Sequence, residues 1–325
     1  MNVLHVVAKY PTEENPQSGI FIQSQIKSLR NEGISCGVCV LDGSGINKYI
    51  HGIAQVRKSL KNGNYDIVHA HYAYTGWTAR LATRLPLVVS YMGSDIYGNI
   101  NRKGRYTLRT KLIHKTSTYL LPRLSSFSIV KSSPMAKEFS VTNISVIPNG
   151  VDLDLFQPKD VSREELGLSV DKKYILFASY PDELFRRNEK RFDIAEEAVN
   201  KLKETLPEAE LLWIRKKPAD EVAKYLNAVD CLLLTSEHEG SPNIVKEAIA
   251  CNLSVISRDV GDVSERIEGV QNCYIVSNKP EEIADILHIA LKNNQRALNG
   301  YEKMQDLSQQ KIARKIIAVY EDMLI

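Results

Sequence analysis

One pattern governs what this chain can become. A short continuous apolar run, a polar loop and an amphipathic stretch follow one another, and the series repeats along 325 residues. Residues 3–8 form the first apolar run, and a run without alternation marks a strand covered on both faces. Residues 20–31 have helical periodicity and stop at Gly33, a residue that favours a helix end. Residues 35–41, 67–69, 87–90 and 127–130 read as further strands, and Ser145-Val146-Ile147-Pro148-Asn149-Gly150 as a short strand running into a turn. The rhythm restarts at residues 174–178, continues with a helix at 193–204, and gives strands at 210–214, 231–235, 254–257 and 274–276. An amphipathic stretch, 308–324, closes the chain. Alternating strands and helices predict parallel sheets with right-handed crossovers. Two series predict an α/β chain of two Rossmann-like parallel-sheet domains facing across a cleft. Their expected bounds are 1–155 and 156–307, with the helix 308–325 crossing back to the first.

Composition removes several classes. At 43% hydrophobic and 25% charged residues the chain is of ordinary globular make-up. It holds no run of about 18 apolar residues, so no membrane-spanning helix is expected. Residues 1–8 lack a basic start and a cleavage site and read as a strand instead of a signal peptide. Cys36, Cys39, Cys231, Cys251 and Cys273 are scattered through apolar runs, which predicts reduced thiols and a cytoplasmic setting. Cys36-Gly37-Val38-Cys39 has zinc-like spacing but lies within a strand and has no second pair.

Net charge is +3. Residues 1–150 carry 18 Lys and Arg against 7 Asp and Glu, whereas the remainder is acidic. Within 101–140 nine basic residues face one acidic residue, Glu138. Two readings stay open: a solvated basic face, or a surface for an anionic membrane, favoured by the interleaved Tyr106, Leu112, Ile113, Tyr119, Leu120 and Leu121. No nucleic-acid reading module accompanies the block, and no nucleic-acid partner is expected.

The segment richest in chemistry is Glu237-His238-Glu239-Gly240-Ser241-Pro242-Asn243, running into Glu247. An apolar strand opens into an acidic loop, and a helix is expected to start with Ser241 as N-cap and Pro242 at the first helical position. Backbone N–H groups at such a start lack intrahelical partners and attract phosphates or hydroxyls, and Gly240 permits close approach. Glu247 falls on the apolar stripe Ile244, Ala248, Cys251. It is either a carboxylate waiting for hydrogen-bond donors such as ribose hydroxyls, or an ordinary helix-boundary glutamate.

Glu239 and Glu247 enclose seven residues, and this segment resembles the E-x7-E motif of glycosyltransferase family 4, the retaining GT-B enzymes. Glu247-Ala248-Ile249-Ala250-Cys251-Asn252-Leu253-Ser254-Val255-Ile256 is similar to the family's "EAMACGTPVV" run, with Asn252 in place of Gly. Val260-Gly261-Asp262-Val263-Ser264-Glu265 resembles the "GGxxE" loop, and Ile147 to Asp152 with Phe156 resembles "PNGVDxxxF". Teichuronic-acid-type polysaccharide transferases are the nearest flavour.

The resemblance implies a donor domain in the C-terminal half, an acceptor-side domain in the N-terminal half, and a nucleotide diphosphate sugar, UDP- or GDP-linked, as substrate without a cofactor. It implies Glu239 beside the donor sugar, Glu247 on the ribose, and Gly240, Ser241, Pro242 and Asn243 offering backbone to the donor. Lys190 falls where the family's diphosphate-binding Lys belongs. Ser179 stands where its Arg belongs, leaving Arg186, Arg187 or Arg191 as substitutes. Ser18-Gly19-Ile20-Phe21 resembles the glycine loop after the first strand, and Asp66-Ile67-Val68-His69-Ala70-His71 the "DVVHAH" strand end, which puts His71 at the cleft. His69 and His71 suggest a metal, but with no third ligand apparent none is expected. Ser90-Tyr91-Met92-Gly93-Ser94-Asp95 resembles "HGSD" with Met92 for His, and leaves Asp95 as an acceptor contact. Asp152-Leu153-Asp154 is read as turn chemistry.

The expected protein is thus a metal-independent retaining glycosyltransferase, cytoplasmic or peripheral on the inner membrane face, acting on a cell-surface polysaccharide or lipid-linked glycan. Its catalytic set would be Lys190, Glu239 and Asp95. The alternatives are a catalytically impaired nucleotide- or glycan-binding protein of the same fold, and a sugar-nucleotide epimerase.

Overall fold

The computed structural model describes residues 1–15, 18–97, 112, 114–179, 190–293 and 296–324. Among these residues lie two all-parallel sheets, ordered β2-β1-β3-β4-β5-β6 and β11-β10-β9-β7-β8. The first holds β1 (Asn2–Val7), β2 (Ser35–Val40), β3 (Ile67–His71), β4 (Leu87–Ser90), β5 (Phe127–Val130) and β6 (Ile144–Val146). The second holds β7 (Lys173–Ala178), β8 (Ala209–Ile214), β9 (Cys231–Leu234), β10 (Ser254–Arg258) and β11 (Tyr274–Val276). Each apolar run read from the sequence is a strand, displaced by at most a residue or two at its ends. The chain is an α/β fold of two Rossmann-like sheets.

The described residues divide into two compact units, 1–150 with 309–324 and 151–308. In unit 1, Leu4, Val6, Val68, Ala70, Leu87 and Val89 pack with the helix Ala73–Ala82 in one core. The C-terminal helix Gln309–Asp322 belongs to this unit because its buried face carries Ile312, Ala313, Ile316, Val319 and Tyr320. Its polar side is tied to the helix Ile20–Asn31 region, with Gln310 donating to Glu32 at 2.9 Å and Arg314 at 2.8 Å. In unit 2, β7 and β9 are sandwiched with the helices Phe192–Leu202 and Pro280–Asn293 around Phe177, Phe192, Ile194 and Leu287.

Asn252 explains its own departure from glycine. It follows the helix Asn243–Ala250 with φ +54, a left-handed conformation that Asn tolerates better than most residues. Its Oδ1 also accepts the Tyr301 backbone N–H at 2.7 Å. Asn252→Ala is expected to lose about 1–2 kcal/mol of stability, from backbone strain and an unpaired amide. Asn252→Gly should lose less than half of that, a difference readable in urea unfolding of the two variants.

Two local expectations change. The helix after β9 begins at Asn243 with Pro242 as its N-cap, and no side-chain cap forms. Ser241 is not the N-cap because its hydroxyl is committed elsewhere, donating to Asp262 Oδ2 at 2.9 Å. In the basic stretch, residues 98–111 and 113 lie outside the described residues. Beyond them, a π-helical turn, Thr116–Leu120, exposes Tyr119 and Leu120 but Leu121 is fully buried. The Arg123 guanidinium stacks 3.7 Å from the Tyr119 ring centroid.

Candidate functional site

Ligands of open parallel sheets bind beyond the strand carboxyl ends, where strand order reverses. In unit 2 that point lies between β7 and β9, which pair Ile175 with Cys231 and Leu176 with Leu232, while β8 leaves on the other side of β7. The loops that follow these two strands carry the expected donor residues. Thr235, at the end of β9, donates its hydroxyl to the Lys190 and Arg191 carbonyls at 2.8 and 2.9 Å. That clamp fixes the start of the helix Phe192–Leu202, where Arg191 adopts φ +50. The Lys190 ammonium then contacts Glu239 Oε1, both side chains being mostly buried. Arg191 reaches Glu237 Oε1 at 2.7 Å, and Arg258, from the end of β10, holds Glu237 Oε2 at 3.1 Å. Burial alone would raise the Glu237 pKa, but the hydrogen bonds from Arg258 and Arg191 outweigh it and lower it.

The helix Asn243–Ala250 starts beside this cluster. Burial pushes Glu247 up to about 7, against the pull of the neighbouring Lys246 ammonium. Gly261, at φ +62, packs beneath the acidic loop so closely that a Cβ would lie 2.7 Å from the Gly240 carbonyl oxygen.

In unit 1 the order reverses between β1 and β3. The loop after β1 ends in Gly19 (φ +72), whose place a side chain could not share with the Lys9 carbonyl. β3 ends in His71. Register pairs His5 with His69 across β1 and β3; both rings stack on His71, and between themselves they are tilted by 37°. His5 Nδ1 lies 3.0 Å from His71 Nε2; His69 bonds Tyr320 through Nδ1 and Ser90 Oγ through Nε2, the latter at 2.8 Å.

The family descriptions account for most of the chain: Glycosyltransferase Family 4 matches residues 23–155 and Glycosyl transferases group 1 matches residues 193–314. The chain belongs to the GT-B-type family 4 glycosyltransferases. The teichuronic acid biosynthesis glycosyltransferase TuaC of Bacillus subtilis is 24% identical over 355 residues, covering 88% of each chain. A D-inositol 3-phosphate glycosyltransferase of Thermobifida fusca is 22% identical, over 85% of this chain and 74% of its own. Among solved structures, sucrose-phosphate synthase from Thermosynechococcus elongatus superposes with TM-score 0.79 at 15% identity, covering 100% of this chain and 99% of the other. Anabaena HepE in complex with UDP-glucose gives 0.74 at 16%, covering 99% and 100%. At such identities these two structures establish the fold.

In this transferase, Lys190, Arg191, Glu239, Gly240, Ser241, Pro242, Asn243 and Glu247 gather at the unit 2 switch point. Gly19 lies in the loop after β1, and His71 is the last residue of β3, the two strands that flank the unit 1 switch point. Arg187, with Arg186, lies outside the described residues. Ser179 accepts the Trp213 indole N–H at 2.7 Å, so the position of the family's Arg is occupied by a packing contact. Asp95 corrects its expectation. It is 1% exposed, Oδ1 accepts the Met92 and Gly93 N–H groups at 2.9 Å, and Oδ2 accepts that of Ala73 at 2.9 Å. Burial raises it to about 6 despite these bonds. Asp95 is therefore the knot that ties the β4 turn to the helix Ala73–Ala82, its carboxylate buried and turned onto backbone amides. His71, 1% exposed, is likewise turned into the fold. Asp152 does what turn chemistry requires, its Oδ1 accepting the Asp154 and Leu155 N–H groups at 3.2 Å.

The absence of a third metal ligand, inferred from spacing, is overturned: His5 brings a third imidazole, and one nitrogen of each ring lies within 4.8 Å of the others. Among the described residues His5 Nδ1 and His71 Nε2 serve one another and His69 serves Tyr320 and Ser90, whereas His5 Nε2 and His71 Nδ1 are buried without a partner. Burial first, the neighbouring rings next and Lys131 last lower the His69 and His71 pKa values. That is an environment for neutral rings beside a cation. Burial lowers His5 to about 3. A folded-state pKa below the unfolded 6.5 means stability is complete above pH 6.5 and lost as pH falls toward the folded value. Each histidine contributes about 1.4 kcal/mol per pH unit in that window. Asp95, shifted up to about 6, and Glu247, shifted up to about 7, oppose this with two groups against three. Thermal melts should show the unfolding temperature dropping steadily between pH 6.5 and 5; a flat profile would contradict the neutral cluster.

Sequence reading missed Arg258, Thr235, Lys246 and His5. A basic residue closing an apolar strand, as in Ser254-Val255-Ile256-Ser257-Arg258, was the available signal for the first.

Proposed function

We propose that the chain is a retaining, metal-independent glycosyltransferase that moves a sugar from a UDP- or GDP-sugar to a cell-surface polysaccharide or lipid-linked glycan. The observation that carries this is the juxtaposition, at one topological switch point, of the Lys190–Glu239 pair with the N-terminus of the helix bearing Glu247. Backbone donors and Lys190 receive the diphosphate, Glu247 the ribose, and Glu239 the sugar hydroxyls once the diphosphate has drawn Lys190 from it. As the anomeric C–O bond breaks, its electron pair goes to the diphosphate oxygen, and fixed cations stabilise the charge that accumulates there. The departing diphosphate takes the acceptor hydroxyl's proton on the same face, which demands positioning more than a strong base. Arg191 and Arg258, which both pair with Glu237, take over the role of the Arg that Ser179 replaces. Unit 1 serves the acceptor, with Asp95 holding its turn, and exposed Tyr119, Leu120, Leu112 and Leu124 beside Arg123 offer contact to an anionic inner membrane face.

HepE is described in complex with UDP-glucose, and TuaC as a teichuronic acid biosynthesis enzyme; both support this donor and acceptor class by kinship. Ser179 and Met92, standing where the family has Arg and His, favour a second reading as a nucleotide-binding protein without turnover. Screening UDP- and GDP-sugars for slow hydrolysis and for transfer to lipid-linked acceptors separates the two. Tight nucleotide binding with neither reaction would establish the second.

A further inference from the structure

Lys246 is 1% exposed and Asp262 is 0% exposed, and neither belongs to the residues already placed on the donor. Lys246 stands in the first turns of the helix Asn243–Ala250, beside the buried Val245, Ala248 and Ile249, where an apolar side chain would satisfy packing. The Ser241 hydroxyl joins the two, accepting from Lys246 Nζ at 3.0 Å and donating to Asp262 Oδ2 at 2.9 Å. Arg266 Nε donates to the same Oδ2 at 2.8 Å. A buried ammonium and a buried carboxylate are costly unless their geometry is fixed, and here what they fix is the residue at the centre of the 240–243 turn. Gly261, immediately before Asp262, packs against the Gly240 carbonyl. Arg266 is held in turn by Glu265 Oε2 at 3.2 Å, so the cluster balances two cations with two carboxylates.

We infer that Lys246 and Asp262 form, through the Ser241 hydroxyl, a buried charged brace that sets the 240–243 turn for the diphosphate of the donor. Lys246 is a positioning residue: it acts through Ser241 and does not touch the ligand. The inference rests on the donor reading above and assigns, within that site, what holds the diphosphate half. The ribose half, at Glu247, lies on the helix itself and does not need the brace.

The test compares two probes on each variant: UDP and GDP, which carry the diphosphate, and uridine and guanosine, which lack it. Lys246→Met keeps the side-chain volume and should weaken nucleoside diphosphate binding about tenfold more than nucleoside binding, which falls only by the lost pull of Lys246 on Glu247. Glu247→Ala should weaken both. Burial brings Lys246 down to about 8, with Asp262, Arg266 and Glu247 the charged groups around it. Diphosphate affinity of the wild type should therefore fall as pH rises through 8, and that limb should vanish in Lys246→Met. Should Lys246→Met fail to fold, Lys246→Met with Asp262→Asn removes both charges together and is measured in the same way. Unchanged diphosphate binding in the folded variant, with Glu247→Ala impaired, overturns the brace. Equal loss for nucleoside and diphosphate also overturns it, because that is general damage. If Glu247→Ala and Lys246→Met both bind as the wild type does, the donor reading itself fails.

Discussion

Lys190→Ala lowers the turnover of donor cleavage by about 10²–10³-fold and moves donor affinity far less, the size seen when one preorganised charge-stabilising donor is removed. The asymmetry follows from where the ammonium sits. In the free protein it is already neutralised by Glu239, so a ground-state diphosphate gains little by exchanging one anion for another. As the anomeric bond stretches, the leaving oxygen gains negative charge that Glu239 does not match, and the interaction with Lys190 strengthens. Thr235 makes this possible by holding the Lys190 and Arg191 carbonyls, so the ammonium needs no reorganisation at the moment of reaction. Single-turnover hydrolysis, with donor binding measured separately, reads the split. A large affinity loss with unchanged turnover would make Lys190 a binding residue only.

The second large effect belongs to Glu247. Burial disfavours its charge and pushes the carboxyl up to about 7. Two ribose hydroxyls donating to it would supply charge-assisted hydrogen bonds of about 1.5–3 kcal/mol each. Glu247→Ala should therefore weaken nucleotide binding by about a hundredfold or more. The same geometry sets a pH dependence. Hydroxyl donors favour the ionised form, so binding draws the pKa below 7 and releases a proton when the free group was protonated. The Glu247 share of the affinity is then complete above pH 7 and falls, by up to about tenfold per pH unit, as pH drops below it. Calorimetry at pH 6 in buffers of differing ionisation enthalpy should register proton release, and Glu247→Ala should abolish it.

Much of the fold was legible because strands buried on both faces leave continuous apolar runs, and Gly33 and the turn at Asp152 carry local chemistry that needs no tertiary context. The donor segment was legible for the same reason: strand, acidic loop and helix follow one another within residues 231–250. What remained hidden depends on contacts between distant residues. His5 joins His69 and His71 only through the β1–β3 register. Arg258 becomes relevant only because β10 lies beside β9. Asp95 resembled an acceptor contact by motif position, but it is buried and each of its oxygens is engaged by backbone amides. Ser241 resembled an N-cap by spacing, yet Asp262, 21 residues on, claims its hydroxyl.

The central claim is that the unit 2 switch point binds and cleaves a nucleotide diphosphate sugar. Its most direct measurement is nucleoside diphosphate release from a panel of UDP- and GDP-sugars by wild type and Lys190→Ala, with and without lipid-linked acceptor. The account predicts slow release by the wild type from at least one donor, acceleration by acceptor, and a rate about 10²–10³-fold lower for Lys190→Ala. Equal rates for the two proteins with every donor that either of them cleaves, or no release above the uncatalysed rate by the wild type from any, would contradict it.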